Sequence, residues 1–318
     1  MERKISFIIP AFNEEKELPV TIADILNNAD YFEGGVEIIV VDNGSTDNTC
    51  LVCRNLDDRI TVIPNVSGSI ARLRNVGADI AEGNLFVFID ADISLSEKWF
   101  EVMNEVYESV VSEASITGSK CIPDTQNYLS KYWFQLVNPK KANYINSGHL
   151  IISAKIFGDI EGFNENLKTA EDVDICQRAL SKGISIKPSN DLIAIHRGYP
   201  SNLSQFFRRE AWHGQQDSNS LHEILKSKTA ILSIATMSQL AIFLVLFLAT
   251  FSILPLFAGI AISIIVSSFF YIFKTRKPTK VLLGWPIAFM YFSGRSYSLL
   301  MKLLGRNLIS PRINQQFK

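Results

Sequence analysis

Short apolar runs alternate with amphipathic stretches through the first half of the chain. Ile5–Ile9, Val36–Val41, Ile60–Ile63 and Leu85–Ile89 are rich in Ile, Val and Phe and are closed by polar turns. Runs of this kind predict strands buried on both faces. Between them the pattern predicts a helix from about Glu17 to Asn27, with Pro19 tolerated in its first turn. Ser45-Thr-Asp47 marks a second helix start. A third helix is expected from about Ser69 to Ala81, stopped near Gly83, and a fourth from Glu97 to Val110 with Ser96 as its cap. This repetition implies an α/β fold: a mostly parallel sheet with helices on both faces. The alternation fails over residues 121–150, where Tyr128, Tyr132, Trp133 and Phe134 precede Asn138-Pro139-Lys-Lys141. That insertion reads either as an aromatic platform for a ligand or as a packed satellite helix.

The last third follows another rule. No charged residue occurs from Ala230 to Phe273, a stretch about twice the ~20 residues that cross a bilayer as one helix. Pro255 is a natural turn, so Ala230–Phe251 and Leu254–Phe273 read as a transmembrane helical hairpin, a buried soluble pair being the alternative. Lys226 and Lys228 precede it, Lys274, Arg276, Lys277 and Lys280 follow it, and the turn has no cation. Such flanks place both ends, and the soluble domain, on the cytoplasmic side of a cell (inner) membrane. Val281–Leu304 contains Gly284, Pro286, Gly294 and Arg295 and is followed by Arg306 and Arg312. It fits an interfacial segment better than a third span, which would carry a basic tail outside. The expected domains are 1–227, 228–274 and 275–318. Met1-Glu-Arg-Lys4 runs straight into the first strand, which reads as no signal peptide.

Composition adds exclusions. A net charge of −1 leaves no overall basic field of the kind that binds nucleic acid. Cys50-Leu-Val-Cys53 resembles half a zinc site, but no second pair follows, and buried small hydrophobes in a reduced cytosolic setting are expected.

Acids close the strands. Leu85–Ile89 ends in Asp90-Ala-Asp92, Val36–Val41 in Asp42-Asn-Gly-Ser-Thr-Asp47, and Ile5–Ile9 in Pro10-Ala-Phe-Asn-Glu-Glu15. Carboxylates two apart on an extended backbone point the same way and suit Mg²⁺ or Mn²⁺ shared with phosphates, though a solvated strand end looks alike. Parallel strands with polar C-terminal ends form the crevice where open α/β sheets bind nucleotides. Neither a dinucleotide fingerprint nor a P-loop is present, so metal and side chains must hold the phosphates.

Ile9-Pro-Ala-Phe-Asn-Glu14, Val41-Asp-Asn-Gly-Ser-Thr-Asp47, Arg74-Asn-Val-Gly77, Asp90-Ala-Asp92 and Glu171-Asp-Val-Asp174 occur in order. Over roughly residues 4–215 the chain resembles the family 2 inverting glycosyltransferases of the GT-A (nucleotide-diphospho-sugar transferase) fold. The resemblance implies transfer of a sugar from a nucleotide sugar, commonly a UDP-sugar, to an acceptor hydroxyl with inversion. It puts Pro10, Ala11, Phe12, Glu14, Asp42, Arg74 and Asp90 at the nucleotide sugar, and Asp92 on the metal with His196 as a further ligand. It makes Asp172 the base, and it puts Glu171 and Gly162, of the Gly162-Phe163 loop, at the acceptor and sugar.

Local readings compete with several of these roles. Asp42 can cap the Gly44–Thr46 turn, His196 can be a polar strand end, and Thr169 with Asp172 resembles a capping box. Arg72 fits either the nucleotide or the surface. Gln205, Arg208, Arg209 and Trp212, after Ser204 as a cap, share a helical face. Processive synthases carry Q-x-x-R-W there; Arg209 replaces that Trp, leaving Arg208 for the diphosphate and Trp212 for the acceptor, or the whole face for lipid. The expected function is sugar transfer to a lipid-linked glycan acceptor at the cytoplasmic membrane face. The rivals are a polyprenyl-phosphate sugar transferase, a processive synthase and a catalytically silent membrane scaffold.

Overall fold

The structure, a computed structural model, describes residues 2–124, 127–137, 144–167, 170–217, 221–306 and 308. Asn138-Pro139-Lys-Lys141, Thr169 and Arg312 lie outside the described residues. The chain divides into two compact units, residues 1–124 with 140–198 and residues 125–139 with 199–318. The aromatic residues of the insertion group with the C-terminal helices.

The first unit runs β1 (Lys4–Ala11), α1 (Leu18–Asn28), β2 (Gly35–Asp42), α2 (Thr49–Arg54), β3 (Ile60–Ile63), α3 (Ile70–Ile80), β4 (Leu85–Ile89) and β5 (Ile93–Leu95). It continues with α4 (Trp99–Ser112), β6 (Ser115–Gly118), β7 (Ile122–Pro123), β8 (His149–Ser153), α5 (Ala154–Asp159), α6 (Glu171–Ser181), β9 (Ser185–Pro188) and β10 (Ala194–His196). One sheet has the order β3-β2-β1-β4-β8-β6-β9, parallel throughout except for β8, which is antiparallel to β4 and β6. A small sheet, β5-β10-β7, lies outside it.

Period-two alternation sorts the strand residues between two cores. Ile5, Phe7, Ile9, Val87 and Ile89 meet Leu18, Ile22, Trp99 and Phe100 on one face. Ile8, Phe86 and Phe88 meet Phe157, Phe163 and Ile175 on the other. That is why these strands read as unbroken apolar runs. A Cβ at Gly77 would lie 2.5 Å from Ile8 Cγ2, so the glycine lets α3 close on β1.

Helix starts follow the expected chemistry in part. Ser69 caps α3, accepting from Arg72 N at 3.3 Å, and Pro19 sits in the first turn of α1. Ser96 does not cap α4, which begins at Trp99 with Lys98 at the cap position. Cys53, Cys121 and Cys176 are buried and Cys50 is half-buried, all of them free thiols. Burial pushes the Cys53 thiol up to about 12.

The second unit contains a π-helical turn at Ser130–Phe134, then α7 (Leu203–Asp217), α8 (Leu221–Lys226), α9 (Lys228–Thr250), α10 (Ile253–Thr275) and α11 (Val281–Leu303). Trp133 and Phe134 are buried among Phe206, Phe270, Tyr271 and Tyr291, so the insertion is packed core rather than an open platform. Asn202, not Ser204, caps α7: its Oδ1 accepts from Gln205 N at 3.0 Å. Gly294 lets α11 approach the α7 backbone, where Phe207 O would lie 2.9 Å from an added Cβ. Arg295 reaches the buried Glu210 at 3.0 Å across the same contact.

Helices α9 and α10 pack as a hairpin, with Gln239 Nε2 donating to Ser263 Oγ at 2.5 Å. Each is long and apolar enough to cross a membrane, with a mean hydropathy of 2.3, and only 11% and 22% of the two apolar windows is buried. The chain reverses at Phe251, in the left-handed region at φ 51°, and Ser252 caps α10. Pro255 lies inside the first turn of α10, where its missing N–H costs nothing.

Candidate active site

The C-terminal ends of β1, β2 and β4 are neighbours, and their loops are stitched together. Asn13, at φ 55°, accepts from Thr46 N at 2.7 Å, while its own N–H donates to Ser45 Oγ at 2.8 Å. Glu14 N donates to Thr49 Oγ1 at 2.7 Å. Pro10 and Ala11 are buried behind these loops, and Phe12 and Glu14 are half-buried at their mouth. Asp42 is 1% exposed and is engaged locally: Oδ2 accepts from Gly44 N and Ser45 N, each at 3.0 Å, and Oδ1 accepts from the Ser45 hydroxyl. The turn-capping role of Asp42 is thus present.

Asp90, Asp92 and His196 converge. His196 arrives because β10 pairs antiparallel with β5, matching His196 to Ile93 directly after Asp92. One ligand atom from each of the three lies within 4.8 Å of the others, and His196 Nδ1 is 3.7 Å from Asp92 Oδ2. Arg197 pins this loop to α1: its N–H donates to Asp92 O at 3.0 Å, and its guanidinium pairs with Glu17 at 2.8 Å. Gly198 is required, because a Cβ there would lie 2.0 Å from Asp92 Oδ2. Two carboxylates and an imidazole are a donor set that fits a hard divalent cation such as Mg²⁺ or Mn²⁺ and leaves positions for phosphate oxygens.

The start of α6 faces this cluster through one guanidinium. Arg74, 1% exposed, donates from Nη2 to Asp90 Oδ1 at 2.8 Å and from Nη1 to Glu171 Oε1 at 2.7 Å. Both terminal nitrogens of Arg74 are thus engaged by protein carboxylates. Beside Glu171, Asp172 is 8% exposed, and burial, aided by the negative charge of Glu171, raises its carboxyl to about 6. The cap position of α6 is Ala170, left-handed at φ 64°, whose methyl group makes no capping hydrogen bond. Asn75 clamps the Gly162-Phe163 loop, exchanging two 2.9 Å bonds with the Phe163 backbone, and Arg178 donates to Gly162 O at 2.7 Å. Arg72 pairs with Glu165 at 3.2 Å at the surface.

The family described as Glycosyl transferase family 2 matches residues 6–155. The chain is 25% identical over 207 residues to Glycosyltransferase AglE of Haloferax volcanii, covering 62% of this chain and 67% of AglE. It is 32% identical over 95 residues to the undecaprenyl-phosphate 4-deoxy-4-formamido-L-arabinose transferase of Proteus mirabilis, covering 28% of this chain and 29% of that protein. Among solved structures, the mannosyltransferase PcManGT of Pyrobaculum calidifontis, in complex with GDP-Man and Mn²⁺, superposes with a TM-score of 0.58 at 16% identity, covering 95% of this chain and 88% of that one. The chain carries a glycosyl transferase family 2 domain over residues 6–155. It spans from about a third to two thirds of the length of these two curated relatives, and its fold is the GT-A type expected of the family.

The expected site residues of the first unit gather at one end of the sheet. Arg208, exposed, and Trp212, half-buried, lie on α7 in the second unit. Asn146 and Ser147 escaped the sequence reading: Asn146 Nδ2 donates to Asp172 Oδ2 at 3.1 Å, and Ser147 Oγ to Glu171 Oε1 at 2.9 Å. They precede an apolar run instead of following one. Because β8 is antiparallel, its beginning lies beside the end of β4, with His149 opposite Ile89. The usable signal was the polar Asn146-Ser-Gly148 directly ahead of Leu150–Ile152.

Proposed function

We propose that the protein is an inverting glycosyltransferase that moves a sugar from a nucleotide donor, a UDP-sugar first among the candidates, to a lipid-linked glycan acceptor at the cytoplasmic face of the cell membrane. The observation that carries this reading is the Asp90–Arg74–Glu171 bridge, which ties the metal-type carboxylates to the helix start that bears Asp172. Inversion needs one base, placed against the acceptor hydroxyl. Asp172 takes that proton, because its carboxyl, raised to about 6, is ionised at neutral pH yet basic enough to accept it. Glu171 orients the acceptor, and Pro10, Ala11, Phe12 and Glu14 line the nucleotide. Asp42 is assigned to the turn that shapes this pocket. Asp90, Asp92 and His196 would hold a divalent cation, which supplies stabilisation of the charge developing on the leaving diphosphate. Arg208 is assigned to the diphosphate and Trp212 to the acceptor.

The membrane reading rests on α9 and α10, whose apolar side chains, Val245, Leu254 and Phe269 among them, are exposed. After Glu223 the chain has eleven Lys or Arg and no Asp or Glu. An acid-free basic segment of this kind suits a multi-pass protein whose flanks meet anionic headgroups. A reporter after Lys280 should score as cytoplasmic and one near Ser252 as external; the same side for both breaks the hairpin reading.

The functional test is incubation of membranes with a panel of labelled nucleotide sugars, UDP- and GDP-linked, followed by lipid extraction. Label on an extended glycolipid, lost in Asp172→Asn, supports the reading. Label on polyprenyl phosphate itself favours the rival transferase, and no transfer from any donor overturns both.

A further inference from the structure

The segment before β8 makes contacts that no motif accounts for. The Asn146 side chain is held at both ends: Oδ1 accepts from Gly148 N at 2.8 Å, and Nδ2 donates to Asp172 Oδ2 at 3.1 Å. Gly148 makes this fold-back possible, because a Cβ there would lie 2.8 Å from Asn146 Oδ1 and 3.2 Å from Asp90 Oδ2. The next residue, His149, is fully buried and accepts from Trp99 Nε1 at 2.9 Å, anchoring the segment to α4. Burial alone drives its pKa down to about 3, so this anchor stays neutral across the working range of an enzyme.

Asp172 is therefore approached from two sides. From its own helix and α3 come Glu171, whose charge opposes ionisation, Arg74, whose charge favours it, and the Cys176 thiol one turn on. Among the described residues, the β8 side contributes neutral donors, the Asn146 amide and the Ser147 backbone N–H. A hydrogen bond to the charged form favours that form.

We propose that Asn146 is a positioning residue of the transfer reaction: its amide fixes the Asp172 carboxylate in one orientation and in the ionised form that accepts a proton. The proposal rests on the reading of Asp172 as the base. Its logic is that of a neutral donor, itself locked by a backbone N–H, holding a carboxylate that its neighbour Glu171 repels.

The first arm of the test needs no identified substrate. In the full chain in detergent, the protonated-carboxyl stretch of Asp172 is titrated by infrared difference spectroscopy against Asp172→Asn. Asn146→Ala should move that midpoint up by about one pH unit, the usual size of a lost hydrogen bond to a carboxylate. The ascending limb of turnover with pH should move with it, measured with whichever nucleotide sugar labels the lipid extract, at unchanged donor KM. Asn146→Ser, too short to span to Asp172, serves where Asn146→Ala does not fold. An unmoved midpoint in a folded variant, with turnover lowered equally at every pH, reduces Asn146 to a structural residue and overturns the proposal. Retained turnover in Asp172→Asn overturns the base reading itself, whatever Asn146 does.

Discussion

Two buried aspartates divide the site into halves that work differently. Asp42, at the end of β2, accepts from Gly44 and Ser45, two and three residues away. Asp172, at the start of α6, accepts from its neighbour Val173 at 2.8 Å and from Asn146, 26 residues away in the chain. A carboxylate satisfied by its own turn stabilises that turn and is spent there. A carboxylate satisfied at long range, next to a second acid, keeps a raised proton affinity and is available for chemistry. Burial alone, 1% and 8% exposed, does not separate the two; the origin of the donors does.

The largest expected effect tests the Asp172 side. Asp172→Asn should lower turnover by ~10²–10⁴, the usual worth of a positioned general base, with donor binding kept. Stability should move the opposite way. The folded carboxyl is raised to about 6 from 3.8, so its protonated form stabilises the fold below about pH 4, and that contribution is lost as pH rises through 6. The wild type therefore carries up to about 3 kcal/mol of burial cost at pH 7 that the amide does not. Thermal melting should show Asp172→Asn at least as stable at pH 7, the difference vanishing towards pH 4. A cap would behave in reverse, with about 0.5–1 kcal/mol lost and turnover kept.

The metal cluster comes next. Asp92→Asn keeps the shape of a side chain enclosed by Gly198 and His196 and should lower turnover at least ~100-fold, as loss of one charge-stabilising contact does. Mn²⁺ binding followed by electron paramagnetic resonance should weaken in parallel. Full activity in EDTA would end the cation reading.

The sequence resolved these halves unequally, for a geometric reason. β1, β2 and β4 are parallel, so the rule that sites lie at strand C-termini points to Pro10–Glu14, Asp42, Asp90 and Asp92 together. β8 reverses direction, and the same rule then points to the wrong end of its run, which is how Asn146 and Ser147 were passed over. Long-range pairing was equally invisible. Nothing local says that Arg74 spends its nitrogens on Asp90 and Glu171, or that Arg197 ties β10 to α1. Caps were missed where two candidates stood close together, as with Asn202 and Ser204, because local propensity ranks both highly and only the entering backbone decides.

The smallest effect sharpens the comparison from the other side. Asp42→Asn keeps one acceptor oxygen for the Gly44 and Ser45 N–H groups but presents an NH₂ where the Ser45 hydroxyl now donates. The Ser45 hydroxyl can turn to accept from that NH₂, so the bonds survive as neutral ones and the loss of their charge assistance costs about 1 kcal/mol. If Asp42 serves the turn, melting should fall by that amount while donor KM changes only a few-fold, through a loosened loop between Asn13 and Thr46. If Asp42 instead holds the nucleotide base, the order inverts: melting stays put and donor affinity drops about tenfold or more, since a site built to bond one polar group is left with it unpaired. Measuring both on one variant decides whether the two aspartates belong to different classes, as their donors imply, or whether the turn and the nucleotide share Asp42.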